Sequence, residues 1–498
     1  MASLNTKAKL LPGCRHSARD CECNCKRQTY KLFNYSDAEL NTTLVYTHKG
    51  CLCNEVVGLR ERHQVDTGSK YTSGLNLFKH LKPLSTRLVP SSYDHIIKRA
   101  SGDKRKLLLS AQKSLESYPV EEEDARVKMF LKDDKYINEL LESPKATAPR
   151  CIQYRSKRYA LPLASLLHPI EENLYKALDI SGTPIFAKSR NLTQRGQDLR
   201  AKFDHFTNPM ILCLDHSKFD AHCGEKLLKL EHKFYLEHYG GGNRELLKKL
   251  LKWQLNNKGA TKHGTLFKTM FTRMSGDQNT GSGNSSINYA MLKEYCEANG
   301  LNACYYIDGD DAVIIFEHKP GFKPDPSFFS QFGMETKLEA YTTDFQEMEF
   351  CQTRPVFDGV SWRMVRNPNR LIHRLPWSTN KVHNKNKYLS SVGLCEMALG
   401  VGLPVGQFLG HKLTTSYPCN KYDNRNPLHY VASKEFIRPT KVKVVEPSLE
   451  ARLSYERAWG ISISDQLRIE RVGFVAPDLG YLVNYNEDFD CETQRRIL

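Results

Sequence analysis

Two adjacent carboxylates, Asp310 and Asp311, stand between two apolar runs of the chain. The runs cover residues 303–307 and 312–316, and Gly309 directly precedes the carboxylates. This pattern predicts a β-hairpin that carries both acids at its tip. Carboxylate oxygens are the hard ligands that Mg²⁺ prefers, and phosphoryl transfer assisted by two metal ions depends on such ligands. The pair indicates a metal site for phosphate chemistry, with an ordinary charged turn as the alternative.

A second acidic motif lies upstream of the hairpin. Residues 210–214 form a continuous apolar run, which predicts a buried strand, and Asp215 follows directly. Asp220 comes five residues later. We expect Asp215 to bind the same metal ions as the hairpin, and Asp220 to accept a hydrogen bond from a sugar hydroxyl. The alternative for Asp215 is a helix N-cap, a frequent role of aspartate.

A segment rich in small residues, 275–284, separates the two acidic motifs. Its glycines, Gly276, Gly281 and Gly283, allow another backbone to approach closely. Hydrogen-bonding groups that suit a ribose and a nucleic-acid backbone are present on Ser275, Thr280 and Asn284. Residues 287–295 are predicted to be helical, which favours an ordered segment over the alternative of a flexible linker.

The order and spacing of these three segments resemble the palm motifs of viral RNA-dependent RNA polymerases. The tombusvirus-like group has the patterns DxSxFDxH and SGDxNTxxGN, which appear here as DHSKFDAH (215–222) and SGDQNTGSGN (275–284). Upstream and downstream segments also resemble the family: MFLKDDKY, APRCIQYRSKRY, KLEHKFY, QLNNKG, TRMSGD and EFCQ. The resemblance covers about residues 127–352.

This resemblance implies an α+β fold of the right-hand polymerase type, with fingers, thumb and an antiparallel palm sheet. The implied divisions are an N-terminal cysteine-containing extension (1–74), fingers (75–205), a palm with an inserted finger segment (206–370, insertion about 240–272) and a thumb (371–498). The implied activity is template-directed synthesis of viral RNA from ribonucleoside triphosphates, for replication and transcription of a positive-strand genome.

The resemblance also implies roles for individual residues. Asp215, Asp310 and Asp311 would hold Mg²⁺, which Mn²⁺ can replace, and Lys337 would protonate the leaving pyrophosphate. A solvent-facing lysine is the alternative for Lys337. The residues expected to bind the nucleotide are Asp220, Ser275, Gly276, Thr280 and Asn284 at the sugar, and Lys132, Arg150 and Arg155 at the triphosphate.

The composition agrees with an RNA partner. Lysine and arginine number 72 against 56 aspartate and glutamate, which gives a formal net charge of +16. Such an excess attracts polyphosphate, although a ribosomal or packaging protein would show it too. Two rival functions stay open: a reverse transcriptase, whose usual YxDD is DGDD here (308–311), and a non-enzymatic RNA-binding replication factor. An acidic cluster within a basic chain favours an enzyme.

The N-terminal segment contains a group of cysteines and histidines: Cys14, Cys21, Cys23, Cys25, Cys51 and Cys53, with His16 and His48. Thiolate and imidazole bind Zn²⁺, but the usual CxxC spacing is missing, so reduced free cysteines are the alternative. No run of about 18 apolar residues or signal peptide is found. We expect a protein of the host cytoplasm that reaches membrane-bound replication complexes through a viral membrane-anchored partner.

Two local predictions concern the elements around the motifs. The acidic run 121–124 is expected to begin a helix that carries Arg126, Lys128 and Lys132, because acids favour helix N-termini. A helix containing Leu227 and Phe234 is expected to end at the glycines of residues 240–242.

Overall fold

The structure is a computed structural model that describes residues 8–10, 28–48, 50–63, 74–81, 87–139, 148–435, 442–477 and 482–484. In the described residues the strands are β1 (Ala8–Leu10), β2 (Gln28–Lys31), β3 (Asn34–Tyr35), β4 (Thr43–Tyr46), β5 (Val127–Leu131), β6 (Tyr136–Glu139), β7 (Cys151–Tyr154), β8 (Pro209–Ser217), β9 (Asn256–Thr261), β10 (Leu266–Met270), β11 (Ala303–Asp308), β12 (Asp311–Glu317), β13 (Glu335–Thr342), β14 (Thr353–Phe357), β15 (Trp362–Arg366), β16 (Trp377–Ser378), β17 (Phe474–Val475) and β18 (Leu482–Asn484).

The α-helices are α1 (Leu52–His63), α2 (Leu77–His80), α3 (Tyr93–Lys98), α4 (Gly102–Ser117), α5 (Lys157–Leu174), α6 (Leu192–Asp204), α7 (Phe219–His222), α8 (Glu225–Leu236), α9 (Gly241–Lys252), α10 (Thr280–Ala298), α11 (Pro368–Arg374), α12 (Lys385–Gly400), α13 (Gly406–Ser416), α14 (His429–Glu435), α15 (Leu449–Trp459) and α16 (Ile463–Arg471). Within the described ranges, no helix is long and apolar enough to cross a membrane.

Strands β11, β12, β8 and β13 form a four-stranded antiparallel sheet in that order. Leu212 and Ile314 face one buried cluster, which contains α5 and α10 side chains, and Ile211 and Val313 face another, which contains Leu199 of α6. Because both faces are covered, these strands are continuous apolar runs rather than alternating ones. The predicted strands at 210–214, 303–307 and 312–316 are confirmed.

A second sheet has the strand order β1-β10-β9-β5-β7. β5 shows where a helix prediction is wrong: the acidic run forms only a short 3-10 helix, Glu122–Ala125, and a strand follows. Val127, Met129 and Leu131 point inward alternately and bury their side chains with Phe267. This period-two burial outweighs the preference of acids for a helix start.

The glycines at 240–242 begin a helix rather than end one. The helix that contains Leu227 and Phe234 stops at Leu236, and Gly240 is the N-cap of α9. Gly241 has a φ of 54°, a left-handed conformation that glycine adopts without steric cost. The predicted helix is confirmed. Its predicted end is wrong, because the glycines follow the loop after Leu236 and belong to the start of the next helix.

The C-terminal helices form a separate buried cluster that also takes in the N-terminal segment. Leu389, Leu409 and Tyr455 pack there with Phe33 and Tyr35. α12 and α13 approach each other closely at Gly393: a Cβ on this residue would lie 2.5 Å from the carbonyl oxygen of Gly410. Only glycine permits this contact.

The segment 28–48 crosses between distant parts of the chain. β2 pairs with β16 and β18, β3 pairs with β17, and β4 pairs with β6. The Tyr35 hydroxyl donates a hydrogen bond to the carbonyl oxygen of Ile372, at 2.7 Å. The described part of the N-terminal segment is therefore built into the body of the molecule.

Candidate active site

The tip of the β11–β12 hairpin is a two-residue turn of Gly309 and Asp310. Asp308 lies opposite Asp311 across the turn, and Gly309 has a φ of 75°, which a tight hairpin turn of this kind favours in glycine. The predicted hairpin and its position are confirmed. Two further residues of α10 hold the turn from below: the Ser285 hydroxyl accepts from the Gly309 amide at 2.9 Å, and Asn288 donates to the Asp310 carbonyl at 3.0 Å.

The neighbouring strand brings Asp215 to the same end of the sheet. Ala312 lies opposite Leu214, so the antiparallel register places Asp311 beside Asp215. Asp215 lies inside β8, two residues before its end, and is exposed. This position excludes the alternative of a helix N-cap, and the structure brings all three predicted metal ligands together.

The three carboxylates form a site of unbalanced negative charge. Partial removal from water, followed by repulsion from Asp215 and Asp308, raises the pKa of Asp310. Removal from water and the carboxylates of Asp310, Asp308 and Asp215 raise the pKa of Asp311 to about 7. A divalent cation would relieve this repulsion, and hard oxygen donors are the ligands that Mg²⁺ requires. The residues present therefore fit a magnesium or manganese site.

We expect the affinity of this site for divalent cations to increase as the pH rises from 6 to 8. With its pKa raised to about 7, Asp311 carries a proton below neutrality, and that proton must leave before a cation binds. Calorimetric titration with Mn²⁺ at several pH values measures the dependence. Asp311→Asn is the matched control and should bind more weakly, with a flatter pH profile. A parent affinity that stays constant over this range would contradict the expectation.

Asp308, the first acid of the DGDD sequence, is already engaged. The Arg195 guanidinium, on α6, contacts its carboxylate at 2.5 Å and also donates to the carbonyl oxygens of Ala187 and Arg190. Sequence reasoning missed Arg195, because no local pattern connects it with a hairpin more than a hundred residues away. This ion pair removes Asp308 from the set of free carboxylates.

The side chain of Asp220 lies at the start of α7 and receives a hydrogen bond from Asn284. The Asn284 amide nitrogen donates to Asp220 Oδ1 at 2.7 Å, and the Asn284 oxygen accepts from Arg273 Nε at 2.8 Å. Burial raises the pKa of Asp220 to about 6, although Asn284 and Arg273 oppose the shift. The structure thus brings together two residues that the sequence assigned to the sugar, and adds Arg273, which it missed.

The other predicted sugar contacts bind protein groups. The Ser275 hydroxyl donates to the Cys151 carbonyl at 3.0 Å, and the Gly276 amide donates to the Gln153 carbonyl at 2.7 Å. Thr280 donates to the Met274 carbonyl at 2.8 Å. A Cβ on Gly276 would lie 2.3 Å from the Gln153 oxygen, so this glycine is needed for contact with β7.

Helix α10 begins at Thr280, seven residues before the start predicted at residue 287. Thr280 and Asn284 are therefore helical residues, and Gly281 and Gly283 lie within a helix. Gly283 faces the carboxylate of Glu231, which a Cβ would approach to 2.2 Å. Close packing, rather than loop flexibility, explains this glycine.

Two of the predicted cations, Lys132 and Arg150, share one carboxylate partner. Arg150 is exposed, and its charge opposes the increase in the pKa of Asp310. Lys132 and Arg150 both contact Asp134, at 3.2 and 3.6 Å. The backbone amide of Lys132 donates to the Arg150 carbonyl, so the two side chains belong to one group.

Arg155 is placed differently from the other predicted cations. Its side chain is buried, and its Nε and Nη2 donate to the two carboxylate oxygens of Asp277 at 2.6 and 3.0 Å. The Ala125 carbonyl and the Asn257 side chain accept its remaining hydrogen bonds, each at 2.6 Å. The structure does not bring this guanidinium to the cluster of carboxylates, because a buried bidentate partner already occupies it.

Lys337 lies on β13 directly opposite Asp215. Its side chain is exposed, and the strand has a β-bulge between Leu338 and Ala340, at Glu339. Glu339 is a further acid of this edge, since Asp215 contributes to raising its pKa. The predicted lysine is thus beside the carboxylates, at the outer strand of the sheet.

The predicted zinc ligands fall mostly outside the described residues. Five of them lie outside the described residues: Cys14, His16, Cys21, Cys23 and Cys25. Two others, Cys51 and Cys53, are described and are buried near the start of α1. Among the described residues, the groups of side chains suited to a metal ion do not include either cysteine. Within those residues the structure offers no support for zinc.

Comparison with known proteins agrees with this geometry. A family model described as viral RNA-dependent RNA polymerase matches residues 24–474. The RNA-directed RNA polymerase of Tobacco necrosis virus (strain A) is 34% identical over 401 residues, which cover 78% of this chain and 54% of the relative.

Two other RNA-directed RNA polymerases are similar to the chain. That of Melon necrotic spot virus is 33% identical over 382 residues, 74% of this chain and 48% of the relative. That of Tomato bushy stunt virus (strain Cherry) is 32% identical over 389 residues, 76% of this chain and 46% of the relative. The chain thus spans about half the length of the curated relatives it matches.

Proposed function

The chain belongs to the family of viral RNA-dependent RNA polymerases, and on this premise we propose that it synthesises viral RNA from ribonucleoside triphosphates on an RNA template. The observation that carries the proposal is the convergence of Asp215, Asp310 and Asp311 on adjoining antiparallel strands. Template-dependent incorporation of labelled ribonucleotides by the purified chain tests it. A non-enzymatic RNA-binding factor would bind the template and incorporate nothing.

Asp215 and Asp310, with Asp311 assisting, would hold two Mg²⁺ ions, which Mn²⁺ can replace. When bound, these ions would supply the activation of the primer 3′ hydroxyl and the charge neutralisation that nucleotidyl transfer requires. The raised pKa values of Asp310 and Asp311 support this role, since they reflect removal from water and, after it, repulsion from the neighbouring carboxylates, both of which a bound cation would offset.

The protein groups around the carboxylates would hold the nucleotide. Asp220 and Asn284 would bind the ribose hydroxyls, and Ser275, Gly276 and Thr280 would shape the loop beside the template base. We expect the enzyme to incorporate ribonucleotides in preference to deoxyribonucleotides. This preference also distinguishes the proposed function from reverse transcription. Equal incorporation of both sugars would remove that preference from the proposal.

The triphosphate would be bound by Arg150 and Lys132. Both lie beside Asp134 at the surface, and the charge of Arg150 reaches the hairpin tip. Release of Asp134 would free the guanidinium for bidentate contact with phosphate. Arg155 would position the loop at Asp277 instead of binding phosphate.

Replacement of Lys337 by leucine should slow nucleotide addition about a hundredfold at saturating nucleotide, the size expected when a general acid is lost. Lys337 would donate its proton to the leaving pyrophosphate from its place opposite Asp215. Single-turnover incorporation measures the rate. Lys337→Arg is the control, because arginine keeps the positive charge but is a far weaker acid than lysine. If both variants match the parent, the lysine has no acid role.

The division into fingers, palm and thumb is part of this proposal. The four-stranded sheet and α10 would form the palm (206–370). In the insertion (about 240–272), β9 pairs with β10 on one side and with β5 of the fingers (75–205) on the other. The C-terminal helices would form the thumb (371–498). Segment 28–48 of the extension (1–74) would connect fingers and thumb, since it pairs with β6 and with C-terminal strands.

The RNA template and its product are the proposed main partners. Replication in the host cytoplasm at membranes would require a viral membrane-anchored protein to recruit the chain. Expression of the chain alone in host cells, followed by flotation of membranes, tests this requirement. Flotation of the chain without any partner would show that recruitment is unnecessary.

A further inference from the structure

Glu231 and Arg273 form an ion pair in the interior, directly behind the proposed sugar contacts. Glu231 lies on α8 and is 0% exposed, and Arg273 is 2% exposed. Both terminal nitrogens of the guanidinium donate to the two carboxylate oxygens. Because desolvation of two charges offsets most of their attraction, such a pair adds little net stability compared with apolar side chains. Its geometry therefore calls for another explanation.

The position of Glu231 is restricted from several directions. Asn279 donates to its Oε1 at 2.8 Å, and the Asn279 oxygen accepts from Gln254 at 2.8 Å. Gly283 leaves no space beyond the carboxylate, since a Cβ there would lie 2.2 Å from Oε1. The carboxylate thus forms a fixed anchor for Arg273.

Arg273 transmits this fixed position to Asn284. Its Nε donates to Asn284 Oδ1 at 2.8 Å, and a guanidinium can only donate. The amide oxygen of Asn284 must therefore face Arg273, so its NH₂ group faces Asp220 and donates to Oδ1 at 2.7 Å. The backbone amide of Arg273 also donates to the Asp220 carbonyl at 3.1 Å. One arginine thus fixes both residues.

The direction of these hydrogen bonds matters for a sugar. With Asn284 bound to Oδ1 of Asp220, Oδ2 accepts no hydrogen bond within the described part of the chain and can accept one from a hydroxyl. If the amide turned over, two oxygens would face each other and Asp220 would lose its donor. The acceptor offered to the 2′ hydroxyl would then move.

We propose that Arg273, anchored by Glu231, is a positioning residue for the selection of ribose over deoxyribose. The inference rests on the proposed polymerase function and deepens it. Arg273 does not touch the nucleotide; it sets the orientation of Asn284, and through it the carboxylate of Asp220.

The test compares Arg273→Lys with a control of the same type, Arg452→Lys. Arg452 also forms a buried bidentate pair, with Glu470 at 3.0 and 3.1 Å, but it lies among the C-terminal helices. For each protein, kcat/KM is measured for one ribonucleotide and for its 2′-deoxy form on the same template. The ratio of the ribonucleotide value to the deoxyribonucleotide value measures the selection. We expect this ratio to fall about three- to tenfold in Arg273→Lys, the effect of one lost hydrogen bond, and to stay unchanged in Arg452→Lys.

A structural role alone would lower both rates together and leave the ratio unchanged, which would overturn the inference. If Arg273→Lys does not fold, the double variant Glu231→Leu with Arg273→Met replaces it, because apolar substitution of a buried ion pair preserves stability in other proteins. The same fall in the ratio is expected there, and an unchanged ratio would overturn the inference. An inactive parent would count against the proposed function itself, so the two failures are distinguishable.

Discussion

Replacement of Asp310 by alanine should reduce RNA synthesis at least about a thousandfold, the scale on which loss of one group at a charged catalytic centre is felt. The carboxylate sits at the hairpin tip, and its pKa is raised by partial removal from water and by repulsion from Asp215 and Asp308. Asn288 and Ser285 hold the turn through backbone groups, so the substitution removes the acid and leaves the turn in place. Incorporation of labelled ribonucleotides on a defined template with Mg²⁺ measures the loss.

The isosteric change Asp310→Asn is the control for this result. It keeps the size of the side chain and removes only the charge, so it should be as inactive as the alanine variant. Because it also removes repulsion among the carboxylates, it should fold at least as stably as the parent in the absence of metal. Synthesis by Asp310→Asn at the parental rate would mean that Asp310 is not a metal ligand.

Local sequence pattern was sufficient for the part of the site that lies on neighbouring strands. The apolar runs at 210–214, 303–307 and 312–316 are long enough to be recognised, and antiparallel pairing then places Asp215 beside Asp311. Strand type, turn chemistry and carboxylate position all follow from residues within a few positions of one another. For this reason the hairpin was predictable to within one residue at each end.

Partners distant in the sequence were not predictable in this way. Arg155 and Asp277 are 122 residues apart, and Arg273 and Glu231 are 42 residues apart. The sequence shows the charges but not which of them are buried against each other. From position in the sequence alone, Arg150 and Arg155 are therefore assigned the same role, although Arg150 is exposed and Arg155 is buried.

The wrong element predictions have a common physical origin. By local preference Gly281 and Gly283 favour a loop, whereas α10 begins at Thr280 and Gly283 packs closely against Glu231. At β5 the preceding acidic run favours a helix, whereas the period-two pattern of the apolar side chains favours the strand that forms. In both places, tertiary burial outweighed a local preference.

Arg155→Ala should lower the free energy of unfolding by about 3–5 kcal/mol, the cost of leaving one member of a buried ion pair without its partner. Arg155 is 4% exposed, and the substitution would leave the buried carboxylate of Asp277 without its guanidinium. Arg150→Ala is the matched control: its side chain is 55% exposed and contacts Asp134 only at 3.6 Å. That variant should change stability by less than about 0.5 kcal/mol. Urea denaturation followed by circular dichroism measures both variants.

The same two variants should differ in their effect on nucleotide binding at a temperature where both are folded. Arg150→Ala should raise KM for the ribonucleotide, because it removes a group proposed to bind phosphate, while Arg155→Ala should leave KM nearly unchanged. A stable Arg155→Ala protein with a raised KM would return Arg155 to the triphosphate, where its position in the motif had placed it. The predicted outcome instead assigns the two cations different roles according to their burial. The exposed Arg150 would bind the substrate, and the buried Arg155 would hold β7 against the loop at Asp277.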